Sequence, residues 1–206
     1  MTVSHLEILV EEPSAEAGLR LLLPSILGNV TFDVYAFTCK DDMRSKLGQR
    51  LRGYRHRIQP DWCIVVLIDN DDDNCRELKA ALDGIASHSG LVTRTESRIS
   101  GRNYQVINRI VVEELEAWFF GDWQAVREAY PRVPPTIPKK AAYSNPDVIR
   151  GGTWEALERI LKRAGYFKNG LRKIELAKEV CSRMKPERNS SKSFRVFLES
   201  ITELAV

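Results

Sequence analysis

The chain has 206 residues, 43% of them apolar and 29% charged, with a net charge of +3. That supports a globular domain with a sizeable core and excludes a disordered chain by composition. No apolar run approaches the ~20 residues a bilayer-crossing helix needs, and the start, Met-Thr-Val-Ser-His-Leu-Glu, lacks a basic segment followed by an apolar one, so a cytoplasmic protein with no membrane partner is expected.

In chain order, residues 6–11 read as a first strand ending in Glu11 and Glu12. Pro13 and Ser14 give a turn and a helix cap, and Ala15 to Leu27 carry apolar residues at helical spacing. Phe32 to Phe37 form a second strand. The basic segment Asp41 to Arg57 reads as a helix interrupted near Gly48 and Gly53. Cys63 to Ile68 are six consecutive apolar residues rich in β-branched types, the pattern of a strand buried on both faces of a parallel sheet. Asp69, Asp71, Asp72 and Asp73 follow at once, and a helix runs from about Asn74 to Ser87. Residues 91–99 and 103–112 alternate around Ser100-Gly101-Arg102 and predict a β-hairpin. The second of these strands runs into Glu113, Glu114 and Glu116, which open a helix. After Val133, prolines 134, 135 and 138 mark a loop, and three helices follow, near 154–164, 172–184 and 193–202.

Strand and helix alternate through the first three units, the signature of a mainly parallel α/β sheet flanked by helices. The expected organisation is a core over 1–132, hairpin included, and a helical extension over 133–206 packed on the sheet's edge. The four cysteines, Cys39, Cys63, Cys75 and Cys181, contain no Cys-x-x-Cys pair and read as buried thiols rather than zinc ligands. His5, His56 and His88 are scattered, and Trp118, Phe119, Phe120, Phe194 and Phe197 read as core.

Acids fall after three different strands, where open α/β sheets bind their ligands: Glu11 with Glu12 and Glu16, Asp69 with Asp71, and Glu114 with Glu116. Clustered carboxylates repel one another unless a cation neutralises them, and hard oxygen ligands of this kind suit Mg²⁺ or Mn²⁺. Asp72 and Asp73 read as turn and helix-cap residues. An EF-hand is excluded, because Asn74 stands at the turn glycine and Ala80 at the bidentate acid. Charge is unevenly spread: residues 44–57 hold Arg44, Lys46, Arg50, Arg52, Arg55 and Arg57 with no acid, and residues 159–195 hold twelve Lys/Arg against three Glu. Basic flanks beside an acid cluster suit a polyanion held over a bound metal. Arg50, Arg52, Arg55, Arg57, Lys168, Lys192 and Arg195 are the candidate nucleic-acid contacts, and Lys173 is a candidate for meeting phosphate charge at the reacting centre.

A Glu after one strand and Asp-x-Asp after a later one resembles the TOPRIM fold of topoisomerases, primases and OLD-family nucleases. Ile-Leu-Val-Glu-Glu-Pro-Ser-Ala-Glu looks like its Val-Glu-Gly-x-Thr-Glu turn, with Glu11 in the place of the essential acid. Glu114-Leu115-Glu116-Ala117-Trp118 with Asp122, and Asn189 to Phe197, resemble the marks of one uncharacterised bacterial TOPRIM-like family whose members commonly accompany an ABC-type or SMC-like ATPase. The resemblance implies a divalent-metal nuclease acting on DNA or RNA, with Glu11, Asp69, Asp71, Glu116 and Lys173 as catalytic residues, an ATPase partner, and a role in phage defence or repair. A homo-oligomer is compatible with it. Glu12 stands where that turn usually has glycine, which leaves an alternative: a catalytically weak or silent nucleic-acid-binding or regulatory subunit.

Overall fold

The computed structural model of the chain describes residues 3–71 and 73–204. Its elements in order are β1 (His5–Val10), α1 (Pro13–Leu22), α2 (Pro24–Leu27), β2 (Thr31–Ala36), α3 (Lys40–Arg55), β3 (Trp62–Asp69), α4 (Cys75–His88), α5 (Arg94–Ser100), β4 (Val106–Val111), α6 (Leu115–Gly121), α7 (Trp123–Ala129), α8 (Thr153–Arg163), α9 (Lys173–Cys181) and α10 (Lys192–Thr202). Short 3-10 turns fill the linkers at 137–148 and 186–188. No helix is long and apolar enough to cross a membrane among the described residues.

All four strands are parallel and lie in the order β2-β1-β3-β4. Side chains alternate between the two faces of the sheet, and each face has its own core. Leu6, Ile8, Val10, Cys63, Val65, Leu67 and Ile107 meet α1 and the helices from α6 onward. Leu9, Ile64, Val66 and Ile68 meet α3 and α4. The extension's Leu157, Leu161, Leu176, Val180, Phe194 and Phe197 belong to the first of these cores, together with Trp118, Phe119 and Phe120. Cys63 and Cys181 are buried thiols as expected, whereas Cys39 is exposed and Cys75 half-buried; all four are free.

Local expectations needed correction in four places. The hairpin over 91–112 does not form: residues 94–100 are α5, and β4 runs parallel to β3. Thr93 accepts a hydrogen bond from the Glu96 N–H and Gly101 closes the helix at φ 71, two termination signals that outweigh a weak alternation. Ile99, which an alternating strand would bury, is 87% exposed. The helix α3 runs unbroken through Gly48 and Gly53 because Met43, Leu47, Leu51 and Tyr54, at helical spacing, are all buried on the sheet. Helix α1 starts at Pro13, not after a Ser14 cap, and stops before Pro24, whose missing N–H breaks the ladder. Asn74, not Asp73, caps α4, accepting from the N–H groups of Arg76 and Glu77; Asp72 lies outside the described residues.

Candidate functional site

Parallel strands put their carboxyl ends on one edge of the sheet, and register does the rest. Val10 pairs with Leu67 and Asp69 with Val111, so the residues following β1, β3 and β4 come out side by side. Glu11 reaches across to accept a hydrogen bond from the Asp69 N–H at 3.2 Å. Past the strands the ladder continues through Asn70 N–H to Val111 O (2.8 Å) and Asp71 N–H to Glu113 O (3.2 Å). Asp71 and Glu113 both adopt left-handed backbone, φ 46 and 64, a strained state that Asp tolerates better than most residues.

Burial and neighbouring charge raise the pKa values of three of these acids. Asp69 is pushed well above the usual carboxylate range by burial, then by the charges of Glu11, Glu116, Glu12 and Asp71. Glu11 is pushed up to about 7, first by burial and then by Asp71 and Glu12, against the opposing Asp69 N–H and Lys40. Glu116, 1% exposed, is also pushed up to about 7, by burial foremost, with Lys173 opposing and Glu114 and Glu12 adding to the shift. Its Oε2 is buried with no hydrogen-bond partner. Burying a carboxylate oxygen without a partner is unfavourable, and this oxygen is open to a proton or a ligand.

Two lysines bracket the cluster from opposite faces. On one side Lys173, at the start of α9, lies 3.7 Å from Glu12 and 5.5 Å from the centre of the Trp154 ring. Burial would lower its pKa, but Glu116, Glu12, Glu114 and Asp69 overcome that and raise it. On the other side Lys40, at the start of α3, donates to Asn70 O (3.0 Å) and Asp71 Oδ2 (2.8 Å) and sits 2.8 Å from Asp73 Oδ2. Hydrogen bonding to the two aspartates, set against burial, raises its pKa. Beside Asp71 opens a cleft of about 650 Å³ lined by Glu113, Glu114, Arg150, Gly152 and Glu155.

Of the residues singled out in the sequence, Glu11, Asp69, Asp71, Glu116 and Lys173 are brought together. Glu114 stands next to them, but its Oε2 accepts from the Thr153 N–H (3.1 Å), the Thr153 hydroxyl (2.8 Å) and the Trp154 N–H (3.0 Å), pinning the start of α8. Glu16 is held by Arg20 at 3.0 Å and does not join the cluster. Lys168, Lys192 and Arg195 are exposed and are not among the main charges acting on the acids. The segment from Asn189 to Ser193 is scaffolding. Ser191 and Ser193 hydroxyls and the Lys192 N–H all donate to Asp147, at 2.7, 3.0 and 2.6 Å. Trp118 Nε1 donates to the Ser193 hydroxyl and Asn189 Nδ2 to the Trp118 carbonyl, at 3.0 and 2.9 Å, which fixes α6 and hence Glu116. Asp122 serves the same frame, accepting from Arg188 and from the Lys185 N–H.

Sequence reasoning missed Lys40. The available signal was a lysine in the first turn of a helix, where the macrodipole disfavours a cation unless nearby carboxylates compensate, as Asp71 and Asp73 do. It also undervalued Glu12. Its backbone is ordinary extended chain, φ −137, so a non-glycine residue is accommodated there without strain, and its carboxylate accepts from the Ser14 hydroxyl.

A family model described as a domain of unknown function, DUF4276, matches residues 10–202. The chain belongs to that family. No curated protein matches the sequence. Two solved structures resemble this DUF4276 chain over nearly their whole length. The C-terminal region of the Burkholderia pseudomallei OLD protein is 18% identical with a TM-score of 0.50, covering 100% of each chain. The C-terminal region of the Xanthomonas campestris pv. campestris OLD protein is 15% identical with a TM-score of 0.49, covering 98% of this chain and 96% of that one. The Burkholderia likeness shows a shared fold, in agreement with the TOPRIM-like α/β architecture expected from the motifs. Among the described residues, no three His, Cys, Asp or Glu side chains stand ready to hold a metal ion as they are placed.

Proposed function

We propose that the protein is a divalent-metal-dependent nuclease that hydrolyses phosphodiester bonds of DNA or RNA, working with an ABC- or SMC-like ATPase in defence or repair. The observation that carries this is the convergence of Glu11, Asp69 and Glu116 from three strand ends, where Glu11 accepts from the Asp69 N–H and where burial first, and neighbouring carboxylates second, raise all three pKa values. Such a cluster is stable in ionised form only beside a cation. The donor set suits Mg²⁺ or Mn²⁺: the ligands are hard oxygens, and the buried Glu116 Oε2 has no protein partner. Mg²⁺ is commonly held by one or two carboxylates, with water and substrate phosphate completing the shell, so a ready-made cage of three is not required. One or two of Glu11, Asp69 and Glu116 would hold the ion directly, and the others, with Asp71, would hold its water shell. Bound there, it would supply Lewis-acid polarisation of a phosphodiester and a nucleophile at neutral pH.

The chain's own contribution is positioning and charge. Glu11 braces Asp69 through its backbone N–H. Lys173, whose pKa the surrounding acids raise, would neutralise charge developing on phosphate oxygens. Lys40 holds the Asp71 loop in its strained form. The fold shared with an OLD C-terminal region and the motif resemblance to TOPRIM proteins support the same assignment, and the habit of the resembled family supports the ATPase partner.

The test is incubation of purified protein with plasmid DNA, single strands and tRNA under Mg²⁺ or Mn²⁺, alone and with the co-expressed ATPase. Cleavage should fall at least about a hundredfold in Asp69→Ala, and activity that survives this change removes the mechanism. A catalytically silent binding subunit is favoured by one observation: Lys40 already neutralises Asp71 from within. Absence of cleavage and of measurable Mn²⁺ binding by calorimetry, with the ATPase present, would select that alternative.

A further inference from the structure

The helix α3 combines three features that the acid centre does not use. Its ion pairs stop early: Lys46 pairs with Asp42, and beyond that none of Arg50, Arg52, Arg55 and Arg57 meets a carboxylate within ion-pair distance among the described residues. Arg50 and Arg57 instead lie over the rings of Tyr35 and Tyr54, at 4.4 and 4.8 Å, and Arg50 Nε is buried with no acceptor. Grooves run along both sides of the helix. One of about 550 Å³, between α3 and the end of β2, is lined by Tyr35, Lys46, Arg50, Gly53 and Arg57, and its one acid, Asp42, is the one that Lys46 holds. The other, of about 430 Å³ between α3 and α4, is lined by Arg44, Arg52, Gly84 and His88, with no acid.

Gly53 and Gly84 lie inside helices, yet a Cβ at either would meet nothing within 4 Å. Packing therefore does not call for glycine at either position, and alanine is the better helix former. Close approach of a ligand's backbone to the helix is a reason for keeping the positions bare. The first turns of α3 touch the acid loop through Lys40 and Arg44, the latter 2.6 Å from Asp73, so the surface leads away from the acid centre without a gap.

We propose that α3 is the track on which a nucleic-acid backbone lies, with phosphates seated in the two grooves and the strand leading into the acid centre. The identity of the polyanion rests on the nuclease reading; the existence of the surface does not. Helix α3 spans about 24 Å, long enough to face several successive phosphates of a duplex strand, which rises about 3.4 Å along its axis per nucleotide. Tyr54 is buried, and the ring of Tyr35 carries the guanidinium of Arg50, so neither is offered to a base for stacking. Recognition is therefore by phosphate charge, independent of sequence and steeply dependent on salt.

The experiment measures binding of a labelled DNA duplex by fluorescence anisotropy across a salt series, in an Asp69→Asn background with EDTA so that nothing is cut. The double variant Arg50→Gln/Arg57→Gln should bind about tenfold more weakly at low salt, with a slope of log K against log salt shallower by about 2. Arg132→Gln/Arg163→Gln removes the same charge from the basic pocket around Ile137 and Ile160 and should change little. Because Arg50 and Arg57 pack on rings, the exposed Arg52→Glu provides a version that does not disturb the fold, and should weaken binding likewise. Unchanged binding in the α3 variants, or equal losses in both double variants, overturns the proposal. Loss confined to α3, in a protein that never cleaves with its natural Asp69, metal and the ATPase present, upholds the surface and rejects the nuclease.

Discussion

Replacing Glu116 with glutamine is expected to stabilise the metal-free protein, by an amount that grows as pH rises from about 4.5 and is complete above about 7. Burial and the neighbouring Glu114 and Glu12, partly offset by Lys173, raise its pKa from 4.5 to about 7. Between those values the native state binds the proton more tightly than the unfolded chain, so stability falls as pH rises through that window and the full penalty is present above about 7. Each pKa unit corresponds to about 1.4 kcal/mol, giving a ceiling of about 3 kcal/mol. Lys173 loses its leading partner in the same change, which trims the gain to between about 1 and 3 kcal/mol. For a chain of this size that is a rise in Tm of about 3 to 10 °C. Melting both proteins in EDTA at pH 5 and pH 8 reads it directly. A glutamine variant less stable than the parent at pH 8, or a difference that is the same at both pH values, refutes the reasoning.

Other perturbations probe the frame that holds the acids. Lys40→Met removes the ammonium that ties Asn70, Asp71 and Asp73; it should cost about 1 to 2 kcal/mol and speed amide exchange in the segment 69–74 while the strands stay protected. Asp147→Ala strands two buried hydroxyls and the Lys192 N–H, and should lower stability by about 3 kcal/mol or more in urea unfolding. Gly121→Ala drives a Cβ into Asn189 Oδ1 and against the Ser191 N–H, so a loss of about 2 kcal/mol or more is expected, with a lower melting temperature.

The buried strand Cys63 to Ile68 and the acids beyond it were legible because both signals are local: a run of apolar residues and the charges that interrupt it. The grouping of Glu11, Asp69 and Glu116 was legible one step further, since parallel strands deliver their ends to one edge. What the chain does not write locally is which carboxylate is already engaged. Glu16 and Glu114 look like Glu11 and Glu116 in sequence, yet Arg20 claims one and the start of α8 claims the other, partners four and about forty residues away. The hairpin failed for a related reason. Alternation of small polar residues around Ile99 mimics a strand, and the capping pair Thr93 and Glu96 that decides for helix is a short signal easily outvoted. Lys40 was hidden because its value comes from a loop thirty residues on.

The knot at the start of α10 has a consequence for how the protein is made. Glu116 is carried by α6, and α6 is clamped by Asn189 and Ser193 through the Trp118 carbonyl and indole. Ribosomes deliver the chain from its N-terminus, so β1, β3 and the acids Glu11 and Asp69 emerge long before that clamp exists. Until about residue 193 has left the exit tunnel those two bonds cannot form, and α6 is held by its core packing alone. The centre is thus assembled in two stages, Glu11 and Asp69 with the sheet and Glu116 only with the segment that follows residue 188.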